Sequence, residues 1–152
     1  MELTVNSDEH FMREALRQAE IAYDEGEIPV GAVVVCQKKI IAKAYNQTER
    51  LNDVTAHAEM LAITSAANHL GGKYLTDCTL YVSLEPCGMC AGALNWSQMD
   101  QIVYALADEK RGFTKVNPNM IHPKTKVKSG LMATESKKLI DDFFAKMRNK
   151  KN

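Results

Sequence analysis

Short apolar runs rich in β-branched residues alternate with segments of helical periodicity, and this alternation constrains the fold more than any other feature. The predicted strands are residues 30–35, 40–45, 79–82, 102–105 and, more weakly, 126–129. A first helix is predicted after the possible caps Asn6 and Ser7. Two more should cover residues 56–68 and 86–96, and a last one should begin near Thr134. Residues 107–123 have no clear period and are predicted to be loop with some helix.

The order of these elements predicts an α/β fold. The first two strands are separated only by the polar residues 37–39, so they should form an antiparallel hairpin. The later strands are separated by helices, which favours parallel pairing. We therefore expect a three-layer α/β/α sandwich around a mixed five-stranded sheet. The chain has 152 residues without repeats or linkers, which predicts a single domain, 1–152.

Composition is that of an ordinary globular protein, with 45% hydrophobic and 25% charged residues. No apolar run approaches the roughly 18–20 residues of a membrane span, and residues 1–6 do not resemble a secretory signal. We expect a cytoplasmic protein without a membrane partner. Acidic and basic residues number 19 each, so net charge does not indicate nucleic-acid binding. Lysines at 124–128 and 137–151 could bind phosphate or simply be solvated.

Two clusters of residues carry the chemistry, at 55–59 and 85–90, and each lies where a helix is predicted to begin. Cys87 and Cys90 are spaced so that the first helical turn can direct both sulfurs to one point, where the helix N-terminus stabilises thiolates. Together with His57 they form a set of three nitrogen and sulfur ligands that suits zinc. Three protein ligands leave one position for water, which is typical of a catalytic zinc site.

Glu59 lies two residues after His57, so its carboxylate should be near the metal and could transfer protons. The combined His-x-Glu and Pro-Cys-x-x-Cys pattern is that of zinc-dependent deaminases. Two other interpretations are a capping or core histidine beside buried cysteines, and a redox pair that would leave His57 and Glu59 unexplained. The remaining cysteines, Cys36 and Cys78, are predicted to be buried apolar residues on separate strands.

In these motifs the chain resembles the cytidine deaminase superfamily and, more closely, the bacterial tRNA-specific adenosine deaminases, which convert adenosine to inosine at the wobble position of a tRNA anticodon. The resemblance covers nearly the whole chain, chiefly residues 26–33, 55–59 and 79–93, with later matches at Asp108, Lys110, Gly112, Phe143, Phe144 and Arg148. It implies a cytidine deaminase-like fold, one zinc ion per subunit, a homodimer and a tRNA anticodon stem-loop as partner. The implied metal ligands are His57, Cys87 and Cys90, with Glu59 as the proton shuttle.

The same resemblance implies the substrate contacts. Asn46 would contact the target nucleoside, and Ala58 would offer its backbone N–H to the base. Phe144 and Arg148 would lie near the anticodon loop, although an apolar stripe on the last helix is also typical of core packing. The base pocket would be lined by Ile28, Pro29 and Val30.

Departures from the family pattern leave the substrate open. Gln98, Ala107 and Pro123 stand where tRNA deaminases often have arginine, and the basic groups noted above could replace the missing charge. Trp96 resembles the corresponding residue of bacterial guanine deaminases. The alternatives are a deaminase of guanine, cytosine or a nucleoside, and a non-enzymatic zinc-stabilised binding module. Glu59 and the open coordination position disfavour the module.

Overall fold

The computed structural model describes residues 7–150 of the chain. In chain order its helices and strands are α1 (Asp8–Asp24), β1 (Gly31–Cys36), β2 (Lys39–Tyr45), α2 (Ala58–Leu70), β3 (Cys78–Leu84), α3 (Gly88–Ser97), β4 (Gln101–Leu106), α4 (Phe113–Val116), β5 (Lys126–Ser129) and α5 (Ala133–Lys150). A 3-10 turn, Pro118–Met120, follows α4. Within the described residues, no helix is long and apolar enough to cross a membrane.

The strands form one mixed sheet in the order β2-β1-β3-β4-β5, which confirms the predicted architecture. β1 runs antiparallel to both β2 and β3, whereas β3, β4 and β5 are parallel. Gln37 and Lys38 join the hairpin with positive φ angles of 52° and 64°. Two consecutive positive φ angles match the tight turn whose twist suits a two-residue hairpin.

Helices cover both faces of the sheet, because successive strand residues point to opposite sides. One face of β1 presents Val33 and Val35, which pack with Phe11 and Met12 of α1. The other face of the sheet packs against α2 and α3; its buried apolar residues include Ala32, Val34, Ala62, Ala66, Leu80, Leu94 and Ile102. α5 contacts α1, β3 and β4, so it lies on the α1 side. The three-layer prediction is confirmed.

α1 packs so closely on β1 that only glycine fits at the contact. A Cβ atom on Gly31 would lie 2.1 Å from the carbonyl oxygen of Ala15 and 2.3 Å from the backbone nitrogen of Ala19. The backbone N–H of Gly31 donates to the Ser83 hydroxyl at 3.0 Å, which ties the start of β1 to β3. Gly31 therefore fixes the distance between the first helix and the sheet.

Two predicted helix starts are wrong by about one turn or less. α2 begins at Ala58 with His57 as its N-cap, because Asp53 captures Thr55 through bonds from the Thr55 backbone N–H at 2.8 Å and hydroxyl at 2.7 Å. Pro86 precedes α3 rather than lying in its first turn, and Cys87 is the N-cap.

The predicted cap of the first helix is confirmed at Ser7, whose hydroxyl accepts from the His10 N–H at 3.1 Å. Asn6, the other candidate, lies outside the described residues, as does Lys151.

Candidate active site

The starts of α2 and α3 bring the predicted metal ligands together. His57 and Cys87 are both N-cap residues with extended backbones, while Cys90 lies in the first turn of α3. The Nδ1 atom of His57 lies 3.7 Å from the Cys87 sulfur and 3.5 Å from the Cys90 sulfur. All three ligand atoms lie within 4.8 Å of one another. Among residues 7–150, no other group of three histidine, cysteine or acidic side chains is gathered in this way.

These distances fit a zinc ion. Tetrahedral bonds of about 2.0 Å to nitrogen and about 2.3 Å to sulfur place the two ligand atoms about 3.5 Å apart. The observed separations of 3.5 and 3.7 Å match this edge of the tetrahedron. The predicted ligand set of His57, Cys87 and Cys90 therefore has both the donor chemistry and the spacing of a zinc site with one open position.

The electrostatics of the two thiols also favour a cation. Hydrogen bonds from Cys90 and His57 lower the pKa of Cys87 to about 4, although burial opposes the change. The pKa of Cys90 is raised, first by its bond to Cys87 and then by burial. The bond to Cys87 raises the pKa of His57, while burial and, less strongly, the nearby Arg111 guanidinium lower it. The low pKa of Cys87 favours a thiolate at the start of α3, and a thiolate attracts a metal cation.

Glu59 lies beside this cluster but is not a member of it. Its side chain, on the first turn of α2, is only 4% exposed. Burial raises the pKa of Glu59 to about 7, against the opposing effect of His57. A carboxyl group with such a pKa can both accept and release a proton near neutral pH. The structure therefore places the predicted proton shuttle next to the predicted metal ligands.

Asn46 is held close to the metal site with one polar atom unused. Its backbone N–H donates to Val30 at 3.0 Å and its side-chain amide donates to the Ile28 carbonyl at 3.2 Å. The next residue, Gln47, donates its backbone N–H to Ala56 at 3.0 Å, just before His57. Among the described residues, the Asn46 Oδ1 is a buried side-chain atom with no hydrogen-bond partner. Because a buried polar atom without a partner costs about 1–3 kcal/mol, the Asn46 Oδ1 indicates that a ligand supplies its partner.

The other predicted substrate residues fall into two groups. Pro29, Val30 and Ala58 are buried near Asn46 and the start of α2. Ile28, Phe144 and Arg148 instead line an open groove of about 390 Å³. The hydrogen bond between Asn46 and the Ile28 carbonyl joins the two regions.

The two neighbouring phenylalanines of α5 have different surroundings. Phe143 is buried and packs edge-on against Tyr23, as expected for a core residue. Phe144 is 39% exposed and faces the groove together with Met147 and Arg148. Core packing therefore accounts for Phe143, whereas Phe144 is available to a ligand.

Two buried glutamates that the sequence analysis left without a role hold the loops beside the site. Glu85 is 3% exposed and accepts from the backbone N–H groups of Asp108 and Thr114, each at 3.0 Å, and from the Thr114 hydroxyl at 2.7 Å. Glu27 accepts from the backbone N–H groups of Glu49 at 3.0 Å and Arg50 at 2.7 Å. Local periodicity gives no signal for either, because the partners are 22–29 positions away.

Trp96, the residue that resembles its counterpart in the guanine deaminases, lies at the opposite end of α3 from the metal ligands. It is in the last turn of α3 and is 83% exposed, whereas Cys87 and Cys90 are at the beginning of that helix. Within this chain, Trp96 therefore does not line the metal site. Cys36 and Cys78 face each other across β1 and β3, away from the metal ligands; Cys78 is buried and Cys36 half-buried.

Comparison with known proteins places this geometry in a family. The family described as the cytidine and deoxycytidylate deaminase zinc-binding region matches residues 5–106. A tRNA-specific adenosine deaminase of Aquifex aeolicus (strain VF5) is 43% identical over 145 residues, which cover 93% of this chain and 96% of that protein.

Two solved structures extend the comparison. One, from work on A-to-I editing by tRNA:A34 deaminases at the wobble position, has a TM-score of 0.80 at 40% identity, covering 86% of this chain and 98% of that chain. A guanine deaminase of Bacillus subtilis has a TM-score of 0.65 at 38% identity, covering 73% and 70%. With its zinc-type ligand cluster and matches over most of its length, the chain belongs to the cytidine and deoxycytidylate deaminase family of zinc-binding proteins.

Proposed function

We propose that this protein is a zinc-dependent deaminase that converts adenosine to inosine at the wobble position of a tRNA anticodon. The observation that carries the proposal is the placement of α5. Within the described part of the chain, this last helix lies along α1 and makes no close contact with α2 or α3, so α5 does not cover the metal site. A deaminase of small free bases needs a closed pocket, whereas an RNA loop needs an open one.

The relatives support the same substrate. The tRNA-specific adenosine deaminases match over nearly their full length, including 96% of the Aquifex aeolicus protein and 94% of the Bacillus subtilis protein. The guanine deaminase structure is matched over only 70% of its length. Its 38% identity nevertheless makes guanine deamination the second candidate.

The proposed reaction adds water to C6 of adenine and releases the amino group as ammonia. Zinc held by His57, Cys87 and Cys90 would supply a positive charge and lower the pKa of a bound water. Glu59 would accept a proton from the attacking water and donate a proton to the adenine ring, which makes C6 electrophilic. It would then take the second proton from the hydroxyl group now attached to C6 and pass it to the departing amine. The C6–O bond forms, the C6–N bond breaks, and the carboxylate is returned to its starting state.

Asn46 and Ala58 would orient the base. The unpartnered Asn46 Oδ1 can accept a hydrogen bond from the nucleoside. Ala58 is the first residue of α2, and the first N–H groups of a helix have no acceptor within that helix. Pro29 and Val30 would form the apolar wall of the pocket, while Ile28, Phe144 and Arg148 would contact neighbouring nucleotides in the groove.

We further propose a homodimer that forms through α3. Met89 and Trp96 are seven positions apart, which places them on the same helical face, and they are 37% and 83% exposed. A second copy would remove this apolar surface from water.

A tRNA substrate also agrees with the cytoplasmic location expected from the sequence.

The substrate is tested by offering the zinc-loaded protein an anticodon stem-loop with adenosine at the wobble position and, separately, guanine, cytosine and free adenosine. We expect inosine in the stem-loop and little ammonia from the free compounds. Glu59→Gln, carried through the same assays, controls for contaminating deaminases. Turnover of guanine alone would overturn the tRNA proposal in favour of the second candidate.

A further inference from the structure

Two of the lysines that could have replaced the missing arginines already form ion pairs with aspartates. Lys126 lies 3.5 Å from Asp100 and Lys128 lies 3.4 Å from Asp8. Both lysines belong to β5, one of the two edge strands of the sheet. Exposed lysines on an edge strand also discourage pairing with other chains. Their charge is therefore a weak explanation for RNA binding at the metal site.

A different basic residue, Arg111, lies beside the metal ligands, on the loop from Asp108 to Thr114. We call residues 108–114 the anchored loop, because Glu85 binds the backbone at both of its ends. The Asp108 carboxylate also accepts from the N–H groups of Lys110 and Arg111, each at 3.0 Å. Both carboxylates restrict the backbone, so the loop is held in one conformation before any substrate arrives.

The anchored loop is pressed directly against the metal site. Gly112 pairs with Cys87 in an isolated antiparallel bridge, and Phe113 donates its N–H to the Pro86 carbonyl at 2.9 Å. A Cβ atom on Gly112 would lie 2.3–2.4 Å from the Glu85 carboxylate atoms, so the loop could not approach this closely with another residue. Arg111 is therefore next in sequence to the residue that pairs with a metal ligand.

The Arg111 guanidinium differs from most arginines of the described chain. Arg13, Arg17 and Arg50 each form an ion pair with a glutamate. Arg111 is exposed, and no carboxylate within residues 7–150 lies within 4.0 Å of its guanidinium nitrogens. Arg148, which also has no such partner there, lines the groove on α5. An unpaired guanidinium on a rigid loop is well suited to bind phosphate through two parallel hydrogen bonds.

We propose that Arg111 binds a backbone phosphate of the RNA next to the target nucleoside, and that the anchored loop holds it in position. This inference rests on the proposed tRNA substrate. It explains how the chain can act on RNA although Gln98, Ala107 and Pro123 replace arginines that are common in the family. Arg111 and Arg148 would then contact the RNA from different elements of the fold.

The test compares Arg111→Gln with Lys39→Gln, which removes an exposed charge at the start of β2, the end of that strand remote from Asn46. We expect Arg111→Gln to raise KM for the stem-loop roughly tenfold and to reduce the slope of log affinity against log salt by about 0.7. Arg111→Lys should keep the salt slope but recover only part of the KM. Lys39→Gln should match the wild type in both measurements, and zinc content should be the same in all four proteins.

The salt slope separates a phosphate contact from a merely structural role, which would not change it. If the wild type converts the stem-loop and Arg111→Gln has an unchanged KM and salt slope, this inference is wrong and the proposed function stands. If the wild type does not convert RNA at all, both are wrong.

Discussion

The Nδ1 atom of His57 lies 3.5 Å from the sulfur of Cys90, although the two residues are 33 positions apart and belong to different helices. The contact depends on where those helices begin. His57 is the N-cap of α2 and has an extended backbone, so its imidazole reaches the start of α3 instead of following the helical face of α2. The proposed zinc site is thus built from two helix N-termini held side by side by the sheet.

Cys90→Ser should abolish zinc binding, because it removes one of only three protein ligands. We expect the zinc content to fall from about one ion per chain to near zero, and deamination to be lost with it. Cys36→Ser is the matched control, since Cys36 lies on β1 away from the cluster. Elemental analysis of both variants after dialysis decides the matter, and retention of the metal by Cys90→Ser would contradict the ligand assignment.

Glu59→Gln should keep zinc but lose turnover. Glutamine has nearly the same shape and cannot exchange a proton, so kcat should fall by about 10²–10⁴. KM should change much less, because Glu59 is proposed to act in the chemical step. Steady-state kinetics together with zinc analysis provide the check. Full activity in this variant would remove Glu59 from the mechanism.

The buried Glu59 carboxyl should also make the metal-free protein sensitive to pH. Its pKa is raised from 4.5 to about 7, so it favours the folded state below about pH 4.5 and loses this contribution as the pH rises through 7. The free energy of unfolding of the chelator-treated wild type should therefore fall by roughly 2–4 kcal/mol relative to Glu59→Gln over that range.

Denaturant titrations of the two metal-free proteins between pH 4 and 8 measure this difference. Both proteins retain His57 and Cys87, so the difference between their curves reports the charge at residue 59 together with its interaction with those two groups. Parallel curves would show that burial does not perturb this carboxyl.

Gly31→Ala should destabilise the fold, because the new methyl group would overlap backbone atoms of Ala15 and Ala19 in α1. We expect a loss of about 1–3 kcal/mol or more. Gly72→Ala is the control, since nothing lies within 4 Å of a Cβ there and its φ is not positive. That variant should be neutral or up to about 1 kcal/mol more stable. Equal unfolding midpoints for the two variants would contradict the close packing of α1 on β1.

The sequence predicted those parts of the site and fold that depend on short-range patterns. The Cys-x-x-Cys spacing and the His-x-Glu pair identify a metal cluster, because a helix start fixes where such neighbours point. The β-branched runs likewise predicted β1 to β4, whereas β5, with a single β-branched residue, was predicted more weakly. The exact start of α2 was missed because Thr55, a good capping residue, bonds to Asp53 instead.

The remainder depends on contacts between distant positions. Hydrogen bonds to Glu85 hold the backbone of residues 108–114. Because its partners are 23 and 29 positions away, the periodicity of this segment does not predict its conformation. The pairing of Lys126 with Asp100 and of Lys128 with Asp8 is hidden for the same reason. The significance of Arg111 emerges only when the fold brings Gly112 beside Cys87.

Hydrolytic deamination of adenosine in RNA is tested by the mass of the wobble nucleoside after reaction in water labelled with heavy oxygen. We expect inosine carrying one labelled oxygen at C6, formed by the zinc-loaded wild type and not by Glu59→Gln. Unchanged adenosine in the stem-loop, with the zinc-loaded protein folded and in excess, would contradict it.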